Sequence, residues 1–364
     1  MKREIRKSIL GIMVLGFILS GCTTGGDAPF VAGDTSKGET ETTRETETTG
    51  ATETSAAEPD RFLTAEISSP AVSENNLLGD PGKETIYIYL PPDYFTSDLR
   101  YPVVYYLHGF GDQPGAFLRS SRRQLDAFFA SGENAPFMMV EIDGTGFSSG
   151  TFYLDSPVTG FWETYVTEEV IPYIDANYRT NNDGAERGIC GFSMGGFGAL
   201  NLAFRHPDLF SSVYAMSPGV LPDGALPEAM NTWAGDTAFL TAYGRVFAPV
   251  TDGSSPTFGQ IPTLDGSSED EKIVAKWYDG FGNFEQKVDD YIALNRPLTG
   301  IGISYGTNDG YTWIPKGCEN LAEILTEKGI APTVFSFEGG HSRPEKTISD
   351  HLGPFFEETL TFSS

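Results

Sequence analysis

The pattern Gly-x-Ser-x-Gly, in which a serine on a tight turn can act as a nucleophile, occurs three times in this chain. The three candidate serines are Ser148, Ser193 and Ser304. Such a turn needs a strand before the serine, a helix directly after it, and small residues where the two elements meet. Only Ser193 meets this requirement, because the predicted strand 187–192 precedes it and a helix rich in glycine and alanine follows. We therefore predict that Ser193 is the nucleophile, since Ser148 lies in a polar loop and Ser304 lies inside a predicted strand.

A serine nucleophile needs a general base, and the base needs an acid to orient it. For a serine on this type of turn, the chain order is serine, acid, histidine. His341 follows the predicted strand 332–338 through two glycines, and we predict that it is the base. Asp309 follows the predicted strand 301–306, and we predict that it is the acid, although an aspartate beside glycine is also typical of a turn. Glu338 is the alternative acid, on the strand that leads to the base.

Backbone N–H groups would receive the negative charge that develops on the attacked carbonyl oxygen. Met194 offers one N–H at the start of the predicted helix. We predict that Phe110 offers the other, because the loop His108-Gly109-Phe110-Gly111 follows a strand and glycine permits the torsions that aim an N–H into a site. An ordinary glycine turn is the alternative interpretation of this loop. The predicted reaction needs no metal and no cofactor.

Strands and helices alternate along the chain from residue 84, which predicts an α/β fold with a mostly parallel sheet and helices on both faces. The other predicted strands are 84–90, 101–107, 137–142 and 212–217, and the predicted helices are 122–130, 162–178 with a kink at Pro172, 195–207, 314–328 and 345–360. Residues 219–297 interrupt the alternation with proline, glycine and aromatic side chains. We predict that they form an insertion over the C-terminal edge of the sheet. The aromatic side chains either bind a sugar or a phenolic acyl group, or simply pack the insertion.

The first residues have the composition of a bacterial export signal. A basic start is followed by the apolar run 9–19, which is shorter than the roughly 20 residues of a membrane span. The run ends in Leu19-Ser20-Gly21-Cys22, which resembles a lipobox, in which the cysteine is diacylated. We therefore predict a lipoprotein signal peptide over 1–21 and a lipid anchor on Cys22 that holds the protein, extracytoplasmic, at the cell membrane. An ordinary signal peptide is the alternative.

Composition divides the rest of the chain and excludes some functions. Residues 22–60 are rich in threonine and glutamate and predict a disordered tether, whereas 61–364 predict one catalytic domain. The 364 residues include 24 Lys and Arg against 50 Asp and Glu, a net charge of −26, which argues against nucleic-acid binding. Because anionic lipid headgroups would repel a protein of this charge, the lipid on Cys22 would be its only contact with the membrane. Three cysteines exclude a disulfide scaffold, and a disulfide between Cys190 and Cys318 is left open.

Several motifs resemble the "Putative esterase" family of α/β-hydrolases over roughly residues 84–360. They are YPVVYYLHGFGD, FYLDSPVTGFWETYVTEEVIPYID, GICGFSMGGFGALNLAFRHPDLF, GTNDG and GGH. That family includes feruloyl and acetylxylan esterases as well as bacterial mycolyltransferases. The resemblance implies the α/β-hydrolase fold and a serine carboxylesterase that removes feruloyl or acetyl groups from polysaccharide. Two alternatives remain, a cell-envelope acyltransferase of the mycolyltransferase type and a non-enzymatic surface binding protein, and the ordered Ser, Asp and His argue against the second.

Overall fold

The computed structural model describes residues 59–130 and 132–362. The predicted signal peptide, Cys22 and all but the last two residues of the predicted tether lie outside the described residues. In the part of the chain that is described, no helix is both long enough and apolar enough to span a membrane.

Segments rich in β-branched and aromatic residues form the strands. In chain order these are β1 (Phe62–Ser68), β2 (Lys83–Tyr89), β3 (Val103–Leu107), β4 (Met138–Ile142), β5 (Asp155–Ser156), β6 (Gly160–Phe161), β7 (Arg187–Phe192), β8 (Ser212–Met216), β9 (Gly300–Gly306) and β10 (Thr333–Phe337). Eight of these strands form one sheet in the order β1-β2-β4-β3-β7-β8-β9-β10, while β5 and β6 form a small separate ribbon. The strands from β4 to β10 in this order pair in parallel, and β2 pairs antiparallel with both of its neighbours. The predicted mostly parallel sheet is therefore confirmed.

Helices connect most of the parallel strands. They are α1 (Pro70–Ser73), α2 (Ala116–Ala130), α3 (Trp162–Thr164), α4 (Ile171–Asn177), α5 (Met194–Arg205), α6 (Leu226–Thr232), α7 (Thr237–Phe247), α8 (Ser268–Phe281), α9 (Phe284–Ala293), α10 (Trp313–Glu327) and α11 (Gly353–Thr359). Two π-helical segments, Tyr165–Val170 and Thr347–Leu352, directly precede α4 and α11. The short 3₁₀ turns are Gly146–Ser148 and Gly184–Glu186.

The sheet is covered on both faces, and its central strand β3 is apolar at every position. In β3 all five side chains are buried, and successive residues point to opposite faces. Val104 and Tyr106 pack with α2 and α11, and the Tyr106 ring stacks on Phe117 with 3.8 Å between the ring centroids. Val103 and Tyr105 pack on the other face with α4, α5 and α10. A sheet buried on both sides is a rigid platform for the loops at its edge.

The structure differs from the sequence-based prediction in three elements. Strand β1 at the edge of the sheet was not predicted, although residues 63–68 alternate between apolar and polar side chains as in a half-buried strand. Helix α2 begins six residues earlier than predicted, at Ala116. The disturbance expected at Pro172 takes the form of the π-helical segment Tyr165–Val170, which ends two residues before the proline. Proline has no N–H to continue the regular α-helical ladder, and a π segment accommodates such a break.

Helices α6 to α9 occupy the stretch between β8 and β9 that we predict as an insertion. Two large side chains of α8, Trp277 and Phe281, are fully buried. The ring of Phe281 packs against Phe197 of α5, with 5.4 Å between the ring centroids. The insertion is thus anchored on the helix that directly follows Ser193.

Candidate active site

Ser193 occupies the tight turn between β7 and α5. Its φ of 55° and ψ of −115° are strained for a residue with a Cβ atom. The glycines on either side are required by close approach, because a Cβ on Gly195 would overlap the carbonyl oxygen of Leu107 and one on Gly191 would overlap that of Gly195. The backbone therefore holds the hydroxyl of Ser193 above the carboxyl end of β7, as the spacing of small residues predicts.

The structure brings the three predicted residues Ser193, His341 and Asp309 together. His341 Nε2 lies 2.8 Å from Ser193 Oγ, and His341 Nδ1 lies 2.7 Å from Asp309 Oδ2. Asp309 is 4% exposed, and its second carboxylate oxygen accepts the backbone N–H of Tyr311 at 2.8 Å. Hydroxyl, imidazole and carboxylate therefore form one hydrogen-bonded chain, the arrangement that can raise the nucleophilicity of a serine.

Backbone contacts between two loops set the distance between the acid and the base. The loop after β9 carries Asp309, and the loop after β10 carries His341. The N–H of Asn308 donates to the carbonyl of Gly339 at 2.8 Å, and the loops approach so closely that a Cβ on Gly306 would overlap the Gly339 and Gly340 carbonyls. Because β9 and β10 are parallel neighbours, both loops leave the same edge of the sheet.

Ser217 links the end of β8 to the loop of the base, and sequence reasoning missed it. Its N–H donates to the carbonyl of Ser304 at 2.6 Å, and its Oγ donates to the carbonyl of Ser342 at 3.1 Å. Ser217 is fully buried and has a φ of 40°. Nothing in the spacing of the residues marks a serine after a strand as a link to His341, so only the folded chain reveals this contact.

The alternative residues of the sequence analysis lie elsewhere. Glu338 is exposed at the end of β10. Ser148 is buried in a 3₁₀ turn, and Ser304 is fully buried inside β9. Neither serine is among the residues that line the cleft around Ser193.

Phe110 and Met194 both line the cleft that contains Ser193. Within residues 59–130 and 132–362, neither backbone N–H donates a hydrogen bond to another protein group. Free N–H groups next to a nucleophile are what a developing oxyanion requires. The arrangement can therefore act as the predicted pair of donors.

The loop that carries Phe110 is held from behind by His108, which is 1% exposed. His108 Nε2 accepts the N–H of Gly144 at 3.0 Å, so Nδ1 carries the proton and donates to the carbonyl of Gly109 at 2.8 Å. The backbone N–H of His108 donates to the hydroxyl of Tyr153 at 2.9 Å. His108 thus positions the loop, and it precedes Ser193 in the chain, whereas the expected order places the base after the serine.

The two remaining cysteines take no part in this site. Cys190 in β7 and Cys318 in α10 are free thiols, and both are fully buried. Burial raises the pKa of each thiol well above its usual value. Neither is therefore suited to act as a nucleophile, because a thiolate is the reactive form.

A cavity of about 380 Å³ opens over Ser193 and His341. Its walls are largely aromatic. The rings are those of Phe110, Phe152, Phe192, Phe197, Trp233, Phe239, Tyr243, Phe281, Tyr311 and Trp313. Four of them come from the insertion, and the ring of Phe239 lies at 4.5 Å from that of Phe110. Other aromatic residues of the insertion, such as Phe247, Trp277 and Phe284, are buried in the core, so the packing interpretation holds for these residues.

Residues 81–279, more than half of the chain, match the model of the family described as "Putative esterase". The chain belongs to this esterase family. An esterase from Mycobacterium tuberculosis is 35% identical over 139 residues, which cover 36% of this chain and 28% of that protein. An endo-1,4-beta-xylanase/feruloyl esterase from Xylanibacter ruminicola is 30% identical over 144 residues, 37% of this chain and 20% of that protein. The diacylglycerol acyltransferase/mycolyltransferase Ag85A of Mycobacterium leprae is 29% identical over 190 residues, 47% of this chain and 55% of that protein.

The matches to these curated relatives thus span less than two thirds of each relative's length. The solved structure of a ferulic acid esterase superimposes with a TM-score of 0.57 at 21% identity, and covers 82% of this esterase-family chain and 98% of that chain. This similarity confirms the α/β-hydrolase fold.

Proposed function

We propose that this protein is a serine esterase that hydrolyses carboxylic esters. The observation that carries the proposal is the hydrogen-bonded chain from Ser193 through His341 to Asp309, placed on a strained turn beneath a cleft. Membership of the esterase family supports it.

In the proposed reaction, His341 Nε2 takes the proton of Ser193 Oγ while that oxygen attacks the ester carbonyl carbon. The negative charge on the carbonyl oxygen is received by the N–H groups of Phe110 and Met194. His341 then gives its proton to the leaving alcohol, and an acyl group remains on Ser193. Water repeats the same steps and releases the acid. Asp309 stabilises the imidazolium in each half of the cycle.

For the substrate, we propose a polysaccharide ester with an aromatic acyl group of the feruloyl type. The aromatic walls and the volume of about 380 Å³ favour an acyl group with a ring, whereas an acetyl group would leave most of the cavity unfilled. The names of the Xylanibacter ruminicola relative, a feruloyl esterase, and of the similar solved structure, a ferulic acid esterase, agree with this substrate class.

An acyltransferase is the second candidate, because the mycolyltransferase of Mycobacterium leprae matches nearly half of this chain. The same residues would serve, and a sugar or lipid hydroxyl would replace water in the second half of the cycle. Analysis of the products formed with and without an added sugar acceptor separates the two. An acylated acceptor would favour transfer, and free acid alone would favour hydrolysis.

The experiment that tests the proposal is the substitution Ser193→Ala, assayed on methyl ferulate, feruloylated and acetylated xylan, and p-nitrophenyl acyl esters. We expect kcat/KM to fall by about 10³-fold or more, because the acyl-enzyme can no longer form. Circular dichroism should remain unchanged, because only one hydroxyl is removed. Ser148→Ala and Ser304→Ala are matched controls and should keep most of the activity. An inactive Ser148→Ala together with an active Ser193→Ala would refute the assignment.

We further propose that the protein is exported and held at the outer face of the cell membrane by lipid on Cys22. The lipobox-like sequence Leu19-Ser20-Gly21-Cys22 supports this location. The intact protein should fractionate with membranes, and Cys22→Ser should release it or block its processing. Mass spectrometry of the mature N-terminus decides the question, because an unmodified N-terminus downstream of residue 22 is incompatible with a lipid anchor.

A further inference from the structure

The charged side chains that line the cleft carry one sign. Asp112 and Asp236 both line it, and no lysine or arginine is among its described lining residues. Asp112 Oδ2 accepts the N–H of Gly109 at 3.0 Å, on the loop that carries Phe110. Asp236 belongs to the insertion, where its carboxylate caps α7 by accepting the N–H of Phe239 at 3.0 Å. The two carboxylates therefore come from separate walls of the cleft.

Asp112 lies near the nucleophile, and Asp236 lines the same cleft as the proposed base. A Cβ built on Gly109 would lie 3.1 Å from Asp112 Oδ2 and 3.4 Å from Ser193 Cβ, so these two side chains flank the same glycine. On the other wall, the ring of Tyr311 packs against the ring of His341 with 4.8 Å between the centroids. The pKa of Tyr311 is raised by burial and then by the negative charges of Asp309 and Asp236, in keeping with the place of Asp236 in the lining of this cleft.

Neither of these two carboxylates forms an ion pair with another described residue, and two cations near residues of the cleft have other partners. The guanidinium of Arg343 lies over the ring of Phe192, 5.3 Å from the ring centroid, and donates to the hydroxyl of Tyr106. Lys316, at the start of α10, pairs with Glu228 at 2.8 Å. Apolar aromatic walls of low dielectric constant concentrate the remaining negative field inside the cleft.

We infer that Asp236, assisted by Asp112, determines the charge preference of the enzyme: esters with a negative charge near the scissile bond are disfavoured, and neutral or cationic esters are favoured. This inference rests on the proposed ester hydrolysis and extends it to the class of substrate. One exposed carboxylate within about 10 Å of a charged substrate group changes its relative kcat/KM roughly two- to tenfold at low salt, and less at high salt.

The test uses Asp236→Asn, because asparagine still caps a helix while the charge is removed. The substrates are ferulate and butyrate esters of three alcohols: choline, its neutral isostere 3,3-dimethylbutanol, and the anionic 3-sulfopropanol. We expect the ratio of kcat/KM for the anionic ester over that for the neutral ester to rise two- to tenfold in the variant. The ratio of the cationic over the neutral ester should fall by a similar factor. Both changes should shrink when the salt concentration is raised about threefold to tenfold, to about 0.5 M, because salt screens the charges.

The matched control is Asp265→Asn, which changes the net charge by the same amount. Asp265 is exposed in the insertion, accepts the N–H of Ser267 at 2.8 Å and does not line the cleft, so both ratios should stay at the wild-type value. Unchanged ratios in Asp236→Asn, or equal changes in Asp265→Asn, would overturn the inference while ester hydrolysis itself stands. If the wild-type protein hydrolyses none of these esters and none of the panel above, the proposed function fails, and the inference fails with it.

Discussion

Ser193 is held at a backbone conformation that costs on the order of 1–3 kcal/mol for a residue with a side chain. The surrounding contacts sustain this strain: the N–H of Ser193 donates to the carbonyl of Met216 at 2.9 Å, and its carbonyl accepts the N–H of Phe197 at 3.0 Å. The backbone thus holds the hydroxyl of Ser193 within hydrogen-bond distance of His341. The orientation of the His341 ring, by contrast, depends on its hydrogen bond to the carboxylate of Asp309.

Asp309→Asn should therefore lower kcat/KM heavily, by about 10⁴ if the serine-protease analogy holds. The amide cannot stabilise the imidazolium, and it can donate to Nδ1, which favours the wrong tautomer of His341. The stability to urea should change little, because the amide oxygen can still accept the N–H of Tyr311. Steady-state kinetics and urea unfolding of the same preparation check both expectations.

Glu338→Gln is the control for this prediction, since it alters the alternative acid and leaves Asp309 in place. Glu338 is exposed, so we expect wild-type kcat/KM from this variant. An inactive Glu338→Gln combined with a nearly normal Asp309→Asn would move the acid to the end of β10, with Ser193 and His341 retained.

The strands contribute more than a platform, because the ends of β8, β9 and β10 are joined to one another. Ser217 at the end of β8 bonds to the carbonyl of Ser304 in β9 and to that of Ser342, next to the proposed base. Among the residues that the structure describes, its hydroxyl makes the only side-chain hydrogen bond between the end of β8 and the loop of His341. We therefore regard Ser217 as a positioning residue for the base.

Ser217→Ala should lower kcat about tenfold and leave KM nearly unchanged, because the loop of His341 loses one hydrogen bond, of about 1 kcal/mol, while the cleft walls stay intact. The variant Ser217→Gly separates the effect of losing the hydroxyl from the effect of backbone strain at this position. Glycine tolerates the φ of 40° at this position without cost but also lacks the hydroxyl. A Ser217→Gly variant with full stability and low kcat is the expected result, whereas normal kcat in that variant would rule out a positioning role.

At the scale of the whole molecule, one buried carboxyl group, that of Glu84, makes the free energy of unfolding depend on pH. Glu84 in β2 is 6% exposed, and burial, followed by the nearby negative charges of Asp80 and Asp143, raises its pKa to about 8. The folded state therefore holds a proton that the unfolded chain releases near pH 4.5. Between these two values the native protein binds more protons, so the free energy of unfolding decreases as the pH rises.

Glu84→Gln should remove this part of the pH dependence, because glutamine stays neutral at every pH. The free energy of unfolding of the variant relative to wild type should increase between pH 5 and pH 8, by an amount on the order of a few kcal/mol. Urea unfolding at pH 5, 6.5 and 8 measures the difference. A difference that is constant over this range would show that Glu84 is ionised in the folded protein.

Local patterns in the sequence were sufficient to predict the central strands, the turn of Ser193 and the candidates His341 and Asp309. Strands such as β3 are apolar at every position, and the turn needs glycines at fixed offsets, so both leave a mark within a few residues. Strand β1 was missed although residues 63–68 carry the apolar–polar alternation of a half-buried strand, whereas the other edge strand, β10, was predicted. A break near Pro172 was predicted, whereas its form, the π-helical segment Tyr165–Val170, was not.

The tertiary structure decided which polar atoms meet. Ser193 and His341 are 148 residues apart, and Asp309 is 32 residues from His341, so their contacts depend on the parallel register of the strands and on the bonds between the loops that follow them. The choice between Asp309 and Glu338 rests on burial, which composition does not reveal. The same holds for the cleft, which is lined both by Asp236 of the insertion and by Asp112 of the loop after β3. Distances between side chains that are far apart in the sequence arise only when the hydrophobic core has fixed the relative positions of the strands and helices.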